Sequence, residues 1–142
     1  MSSDQMTLAK APAMKLALAT KGDARYVAGR RASFKYRELG VSEASNGKLR
    51  AQVTSTDHGI TEPTGWHYHT CEVQFVYMLK GWLDLEFADG RAVRLAAGDS
   101  VMIPGGSPHQ ETLTSDSFEL LEISVPAEMG TVNCDPPPTA RR

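Results

Sequence analysis

The sequence predicts a single all-β domain, and three features of the chain support that prediction. From Phe34 onward, short runs rich in Val, Phe, Tyr and Leu alternate with turn residues, a pattern typical of strands. No helical periodicity of any length follows residue 30. The 142 residues amount to about one domain, long enough to bury a core without disulfide bonds. Many short strands at regular spacing favour a β-sandwich or a β-barrel.

The first part of the chain contains an extension, two strands and a loop. Residues 1 to about 22 are small, polar and Ala-rich, and fit disorder or a short helix or strand docked on a neighbouring subunit. Phe34 to Leu39 and Leu49 to Ser55 alternate as strands do, and Asn46-Gly47 between them is a hairpin signal. Asp57 to Gly65, with its glycines and proline, is predicted to be a loop.

The second part of the chain predicts six more strands. Trp82 to Phe87 places Leu83 and Leu85 on one face of its strand and Asp84 and Glu86 on the other. Asp89-Gly90 is a second hairpin signal. The predicted strands are Val73–Leu79, Trp82–Phe87, Arg91–Leu95, Ser100–Ile103, Gln110–Thr114 and Phe118–Val125.

These segments divide the chain into three regions. We expect an N-terminal extension over residues 1–28, a β-barrel over residues 29–126 and a Pro-rich C-terminal tail over residues 127–142. The tail carries three consecutive prolines and ends in two arginines, so we expect it to be mobile.

Composition excludes several classes of function. With 15 basic and 17 acidic residues the chain is nearly neutral, which disfavours nucleic-acid binding and a polybasic membrane patch. Cys71 and Cys134 are too few for a disulfide framework, so a reducing compartment fits best. The apolar stretch Ala11 to Ala19 is interrupted by Lys15 and lacks the features of a secretory signal. No run approaches the roughly 20 apolar residues of a membrane span, and we expect a cytoplasmic protein.

Three of the four histidines lie in two short segments, and they predict a metal site. On a strand, His67 and His69 point to the same face. Gln74 lies five residues after His69, a separation long enough for a turn between them, and His109 comes from another hairpin. Three neutral imidazoles and one oxygen donor suit a divalent Fe, Mn, Ni, Zn, Co or Cu ion. On an octahedral ion, these four protein ligands would leave two positions for substrate, oxygen or water.

Several neighbouring residues have more than one interpretation. Gln74 is interpreted as a ligand, as a hydrogen-bond partner of a bound water or substrate, or as an inward polar residue. Glu72 shares its strand face, so it is a candidate acid or base near the metal, or else a solvated carboxylate at the rim. Cys71 is interpreted as a turn residue and His58 as a surface histidine.

The first histidine segment resembles the first conserved motif of the cupin superfamily. That motif contains a His-x-His pair, a glutamate and a later glycine; His67, His69, Gln74 and Gly81 stand at its spacing. Gln74 replaces the family's glutamate. The glycine that leads the family motif is displaced, because Thr61 occupies its position.

The second segment resembles the second cupin motif. Gly98, Pro104, Gly106 and His109 match its glycine, proline, glycine and histidine in spacing. Leu113 stands where the family has an asparagine.

The resemblance extends over roughly residues 47 to 126 and implies a fold and a class of site. The implied fold is a small jelly-roll β-barrel (a double-stranded β-helix), often dimeric, with the metal inside. The three-histidine, one-glutamine set is similar to that of small single-domain bacterial cupins. Cupin activities include those of dioxygenases, isomerases and lyases, and the family also includes storage proteins and sugar-binding domains, so the fold does not fix the function.

A glutamine ligand leaves the full divalent charge facing the substrate, which favours an enolate, a catecholate or an α-hydroxy acid. We expect a dioxygenase acting on a small enolisable or aromatic compound, assembled as a homodimer in view of outward Phe75, Tyr77 and Leu79. The alternatives are a Lewis-acid lyase or isomerase similar to hydroxynitrile lyases, and a non-catalytic cupin that binds a small ligand. We also expect an apolar pocket wall, made of Val76, Met78, Leu83, Leu85, Met102, Ile103 and Leu113.

Overall fold

The computed structural model describes residues 13–139, and within them two antiparallel sheets form a jelly roll. One sheet has six strands in the order β1-β2-β3-β10-β5-β8, and the other has five in the order β11-β4-β9-β6-β7. The strands are β1 (Arg25–Val27), β2 (Lys35–Glu38), β3 (Arg50–Thr56), β4 (His67–His69), β5 (Val73–Lys80), β6 (Trp82–Phe87), β7 (Ala92–Ala96), β8 (Ser100–Pro104), β9 (His109–Thr114), β10 (Phe118–Val125) and β11 (Thr131–Asn133). The prediction of an all-β jelly roll is confirmed.

Alternation along the strands separates the core from the surface, as the sequence predicts. On β5, Val76 and Met78 are buried, whereas Tyr77 and Leu79 between and beyond them are 39% and 45% exposed. The core unites side chains of both sheets, because apolar residues on their facing sides are removed from water together. Its members are Val76, Met78, Leu83, Leu85, Leu95, Phe118 and Leu120.

The connection between β2 and β3 is longer than the hairpin signal predicts. The two strands do pair, with Lys35 opposite Ser55 and Glu38 opposite Gln52. A one-turn helix, α1 (Val41–Ala44), lies between them, and Asn46-Gly47 follows it with positive φ angles of 56° and 78°. The Asn-Gly pair therefore ends a helical turn, because both residues tolerate the left-handed backbone.

Strands also form outside the region predicted as the barrel. β1, from the predicted N-terminal extension, pairs with β2, and β11, from the predicted tail, pairs with β4. Residues 131–133 of the predicted tail are therefore part of the five-stranded sheet, where their backbone groups pair with the edge of β4. The expectations for residues 1–12 and 140–142 lie outside the described residues.

A β-bulge on β9 reverses the alternation near its end. Leu85 pairs with Glu111 and Asp84 with Leu113, so Thr112 is the extra residue. Beyond the bulge Thr114 is buried, whereas Leu113 is 37% exposed. Among the described residues, no helix is long and apolar enough to span a membrane.

Candidate metal centre

The three predicted histidines converge at one end of the five-stranded sheet. His67 and His69 lie at the two ends of β4 and point to the same side, and His109 lies opposite His67 where β9 begins. Their side chains are buried, at 2%, 4% and 0% exposure. One ring nitrogen of each lies within 4.8 Å of those of the other two, a separation that a single ion can bridge.

Backbone carbonyls orient each imidazole. Nδ1 lies 2.8 Å from the Gly65 carbonyl in His67, 3.1 Å from the Gly130 carbonyl in His69 and 2.9 Å from the Ser107 carbonyl in His109. A carbonyl oxygen only accepts, so each Nδ1 carries the proton and donates it. Each Nε2 is left with its lone pair available, which is the state a metal requires.

The cluster also favours neutral imidazoles. Burial, reinforced by the neighbouring His109, lowers the pKa of His69 to about 4. Burial likewise lowers the pKa of His109 below its usual value. Both rings are therefore neutral near pH 7 and able to donate an electron pair.

Gln74 lines the same cavity as His67 and His69, from the opposite sheet. Its side chain is 4% exposed, and its Nε2 donates a hydrogen bond of 3.0 Å to Oε2 of Glu122. Within residues 13–139, Oε1 of Gln74 and Nε2 of His109 are buried and lack a hydrogen-bond partner. Buried polar atoms are rarely left so, and three imidazoles with one amide oxygen are donors that fit a divalent transition metal.

Two carboxylates that the sequence analysis did not select also face the cavity. Oε2 of Glu111 lies 3.5 Å from Nε2 of His67 and 2.9 Å from Oγ1 of Thr64. Burial raises the pKa of Glu111, but electrostatic interaction with the His67 and His109 rings and the hydrogen bond from Thr64 outweigh it, so the pKa is lower than usual. The alternation His109-x-Glu111 was a signal for this residue, because alternate residues share a strand face.

Glu122 is the second of these carboxylates, and it lies behind Gln74. Its Oε1 accepts a charge-assisted hydrogen bond of 2.8 Å from Arg50 and a weaker one of 3.4 Å from Gln52. Burial raises the pKa of Glu122, against the opposing effects of Arg50 and Gln74. A carboxylate in phase with buried Leu120 and Ser124 on an apolar strand was the available signal.

The other candidate residues lie elsewhere. Glu72 is exposed and does not line the cavity, so the structure does not bring it together with the histidines; it precedes β5, before the alternation begins. Cys71 is buried, and burial raises the pKa of its thiol, which fits the turn residue that was predicted. His58 is exposed on the loop after β3.

The cavity beside the histidines has a volume of about 290 Å³, and the residues that form its apolar wall differ from those predicted. Of the seven residues predicted, Leu83 alone lines it. Val76, Met78 and Leu85 pack in the core below it, and Met102 is 60% exposed. The other large apolar residues of the wall are Val27, Phe34, Ile60, Phe118, Leu120 and Met129. The polar side chains that line the cavity beside them include Arg30, Arg31, Tyr36, Arg50, Gln52, Thr54, Thr64, Glu111 and Glu122.

Comparison with known proteins agrees with this architecture. Residues 57–125 match the sequence model of the cupin domain. The fold is similar to that of the polyketide cyclase RemF from Streptomyces resistomycificus, at TM-score 0.66 and 18% identity over 84% of this chain and 86% of that one. It is also similar to KdgF from Halomonas sp., at TM-score 0.62 and 17% identity over 77% and 94% of the two chains.

An RmlC-like cupin from Shewanella frigidimarina gives a TM-score of 0.58 and 20% identity over 78% of this chain and 90% of that one. No curated protein matches the chain in sequence. At these identities the likeness concerns the fold, and the activity has to be argued from the site.

Proposed function

We propose that this chain, whose residues 57–125 match the sequence model of the cupin domain, is a divalent-metal enzyme that catalyses proton transfer on a small enolisable or aromatic oxygen compound. Lyases, isomerases and cyclases carry out such non-oxidative reactions. The observation that carries the proposal is the position of Glu111, whose carboxylate lies 3.5 Å from Nε2 of His67 inside the cavity.

The donor set defines what a bound ion would supply. His67, His69, His109 and Gln74 would hold it, and its Lewis acidity would stabilise negative charge on a substrate oxygen. The four donors are neutral, so they cancel none of the ion's charge.

Glu111 has the position of a general base. A glutamate is ionised near pH 7 at its ordinary pKa, and its carboxylate accepts a proton from a substrate within hydrogen-bond reach. Oγ1 of Thr64 donates a hydrogen bond of 2.9 Å to Oε2 of Glu111 and accepts one of 3.1 Å from the Glu111 backbone amide. The β-bulge at Thr112 comes after Glu111, so Glu111 and His109 lie on the same face of β9.

The cavity indicates the size and polarity of the substrate. Its volume of about 290 Å³ is at the low end of small-molecule sites. Leu83, Phe118 and Leu120 form an apolar floor continuous with the core, whereas Arg30 and Arg31 bring positive charge to the wall. A small compound with an apolar body and an anionic or enolisable oxygen end matches both surfaces.

A dioxygenase acting on the same class of compound is the second candidate. The neutral three-histidine, one-glutamine set favours it, because nitrogen and oxygen donors of this kind also hold iron(II). The two candidates differ in whether oxygen is consumed, and therefore one substrate panel distinguishes them.

The test uses the full chain loaded with Zn²⁺, Mn²⁺ or Ni²⁺ and a panel of small α-hydroxy ketones and β-diketones in D₂O. We expect deuterium to enter the carbon next to the carbonyl faster than in buffer with the same free metal, measured by proton NMR. Glu111→Gln should lower that rate by about 10²- to 10⁴-fold while the metal content stays unchanged.

Glu119→Gln is the matched control, because Glu119 lies on β10 away from the cavity and the substitution removes the same charge. An exchange rate unchanged by Glu111→Gln contradicts the assignment of the base. Oxygen uptake by the iron-loaded protein with the same panel supports the dioxygenase instead. Metal binding without either reaction supports a non-catalytic binding cupin.

A further inference from the structure

A buried polar cluster connects Gln74 to the middle of the six-stranded sheet. Glu122 on β10 lies between β3 and β5, opposite Gln52 on one side and Val76 on the other, and Gln74 is one inward position further along β5. Arg50, at the start of β3, closes the cluster with its hydrogen bond of 2.8 Å to Glu122.

The donors and acceptors in this cluster allow one arrangement of the Gln74 amide. Arg50 and Gln52 both donate to Oε1 of Glu122, and Gln74 donates to Oε2 through Nε2. An ionised carboxylate only accepts, so the amide of Gln74 must present its NH₂ group to Glu122. The carbonyl oxygen then faces away from Glu122, and it is one of the buried side-chain atoms without a hydrogen-bond partner in the described part of the chain.

We propose that Glu122 is a positioning residue that turns the carbonyl oxygen of Gln74 toward the metal. The inference rests on the metal site of the proposed function but not on the reaction. It also accounts for a glutamine at position 74, since a glutamate there would place a second carboxylate at hydrogen-bond distance from Glu122. The negative charge of the site therefore lies one residue behind the ligand, paired with Arg50.

Glu122→Gln tests this directly, because the cluster also fixes how an amide side chain would sit at position 122. Arg50 and Gln52 donate, so the introduced amide would give them its oxygen and turn its NH₂ toward Gln74. The Gln74 amide would then have to rotate, presenting NH₂ rather than oxygen to the metal.

The experiment titrates Co²⁺ into the metal-stripped full chain by isothermal titration calorimetry, with the visible absorption of the bound Co²⁺ as a second readout. We expect Glu122→Gln to weaken Co²⁺ binding by about 10- to 100-fold, the range typical of partners that orient metal ligands. The double variant Gln74→Glu/Glu122→Gln should restore the affinity to at least the wild-type value, because its carboxylate at position 74 accepts from the amide at position 122. Glu119→Gln, with the same loss of charge on the same strand, should bind as the wild type does.

Two results overturn the inference. One is a Glu122→Gln variant that binds Co²⁺ within twofold of the wild type, and the other is a loss that the double variant does not restore. If circular dichroism shows that Glu122→Gln does not fold, the double variant, which keeps the net charge, still tests the inference. A double variant that does not bind Co²⁺ also contradicts it. If the wild-type chain does not bind Co²⁺, the metal site of the proposed function is itself wrong. If the wild type binds Co²⁺ and the variants do not behave as expected, only this inference is wrong.

Discussion

The two sheets contribute to the candidate metal centre in different ways. The five-stranded sheet supplies His67, His69 and His109, each oriented by a backbone carbonyl, two of them from the residue two positions earlier. The six-stranded sheet supplies Gln74, oriented by the side chain of Glu122, which is 48 residues away in sequence. The histidine half is therefore arranged mainly by local geometry, whereas the glutamine half depends on a network that exists only after three strands have paired. Four substitutions test this contrast.

Removal of a histidine is expected to have the largest effect. His67→Ala deletes a proposed ligand, and we expect Co²⁺ affinity to fall on the order of a thousandfold, about 4 kcal/mol, since even partners of ligands cost 10- to 100-fold. Calorimetric titration measures the change. His58→Ala removes an exposed histidine and should leave the affinity unchanged; equal losses in the two variants would refute the site.

Gly105→Ala should disturb the turn that supports the histidine half. A Cβ at this position would lie 1.7 Å from the Cys71 carbonyl oxygen, which belongs to the backbone and cannot rotate away. We expect the free energy of unfolding to fall by about 3 kcal/mol, within the range for overpacking. Denaturant unfolding measures it, with Gly22→Ala as the control because nothing lies within 4 Å of that position. A loss of less than about 1 kcal/mol in the free energy of unfolding would show that the turn can shift to accommodate the added methyl group.

Arg50→Met should destabilise the protein by removing the positive charge that pairs with Glu122, the residue behind Gln74. It leaves the Glu122 carboxylate without its cation, and we expect a loss of about 2 kcal/mol in unfolding free energy, less than for a fully buried pair because both side chains keep some exposure. Adding Glu122→Gln should recover part of that loss, as a double-mutant cycle measures. Additive effects of the two substitutions would show that the ion pair does not couple them.

Thr131→Val should have the smallest effect. Oγ1 of Thr131 lies 3.1 Å from Nδ1 of His69, but the Gly130 carbonyl lies equally close and remains. We expect Co²⁺ affinity to change by about threefold or less, below about 1 kcal/mol, because the backbone acceptor suffices. A tenfold loss would show that a side chain orients the histidine half too, and would remove the contrast between the two halves.

Much of the fold and part of the site could be predicted from the sequence. Trp82–Phe87 and Phe118–Val125 are strands with the bounds that alternation predicts, and His67, His69 and His109 meet as their spacing predicts. Six of the seven residues predicted for the apolar pocket wall were wrong, because alternation tells which face a residue occupies but not how high on the barrel it lies. The homodimer, the cytoplasmic location and coordination by Gln74 stay predictions.

By itself, the sequence determined what short-range patterns encode: the strands, the turns and the histidines that share a face of β4. Those signals are local, since alternation and His-x-His spacing act over a few residues. Only the tertiary structure decided that Glu111 and Glu122 enter the cavity in place of Glu72, that β11 closes the edge of β4, and that Gln74 turns its oxygen away from Glu122. Each of these depends on the register of strands far apart in the chain and, at β9, on a bulge, and no local pattern specifies either.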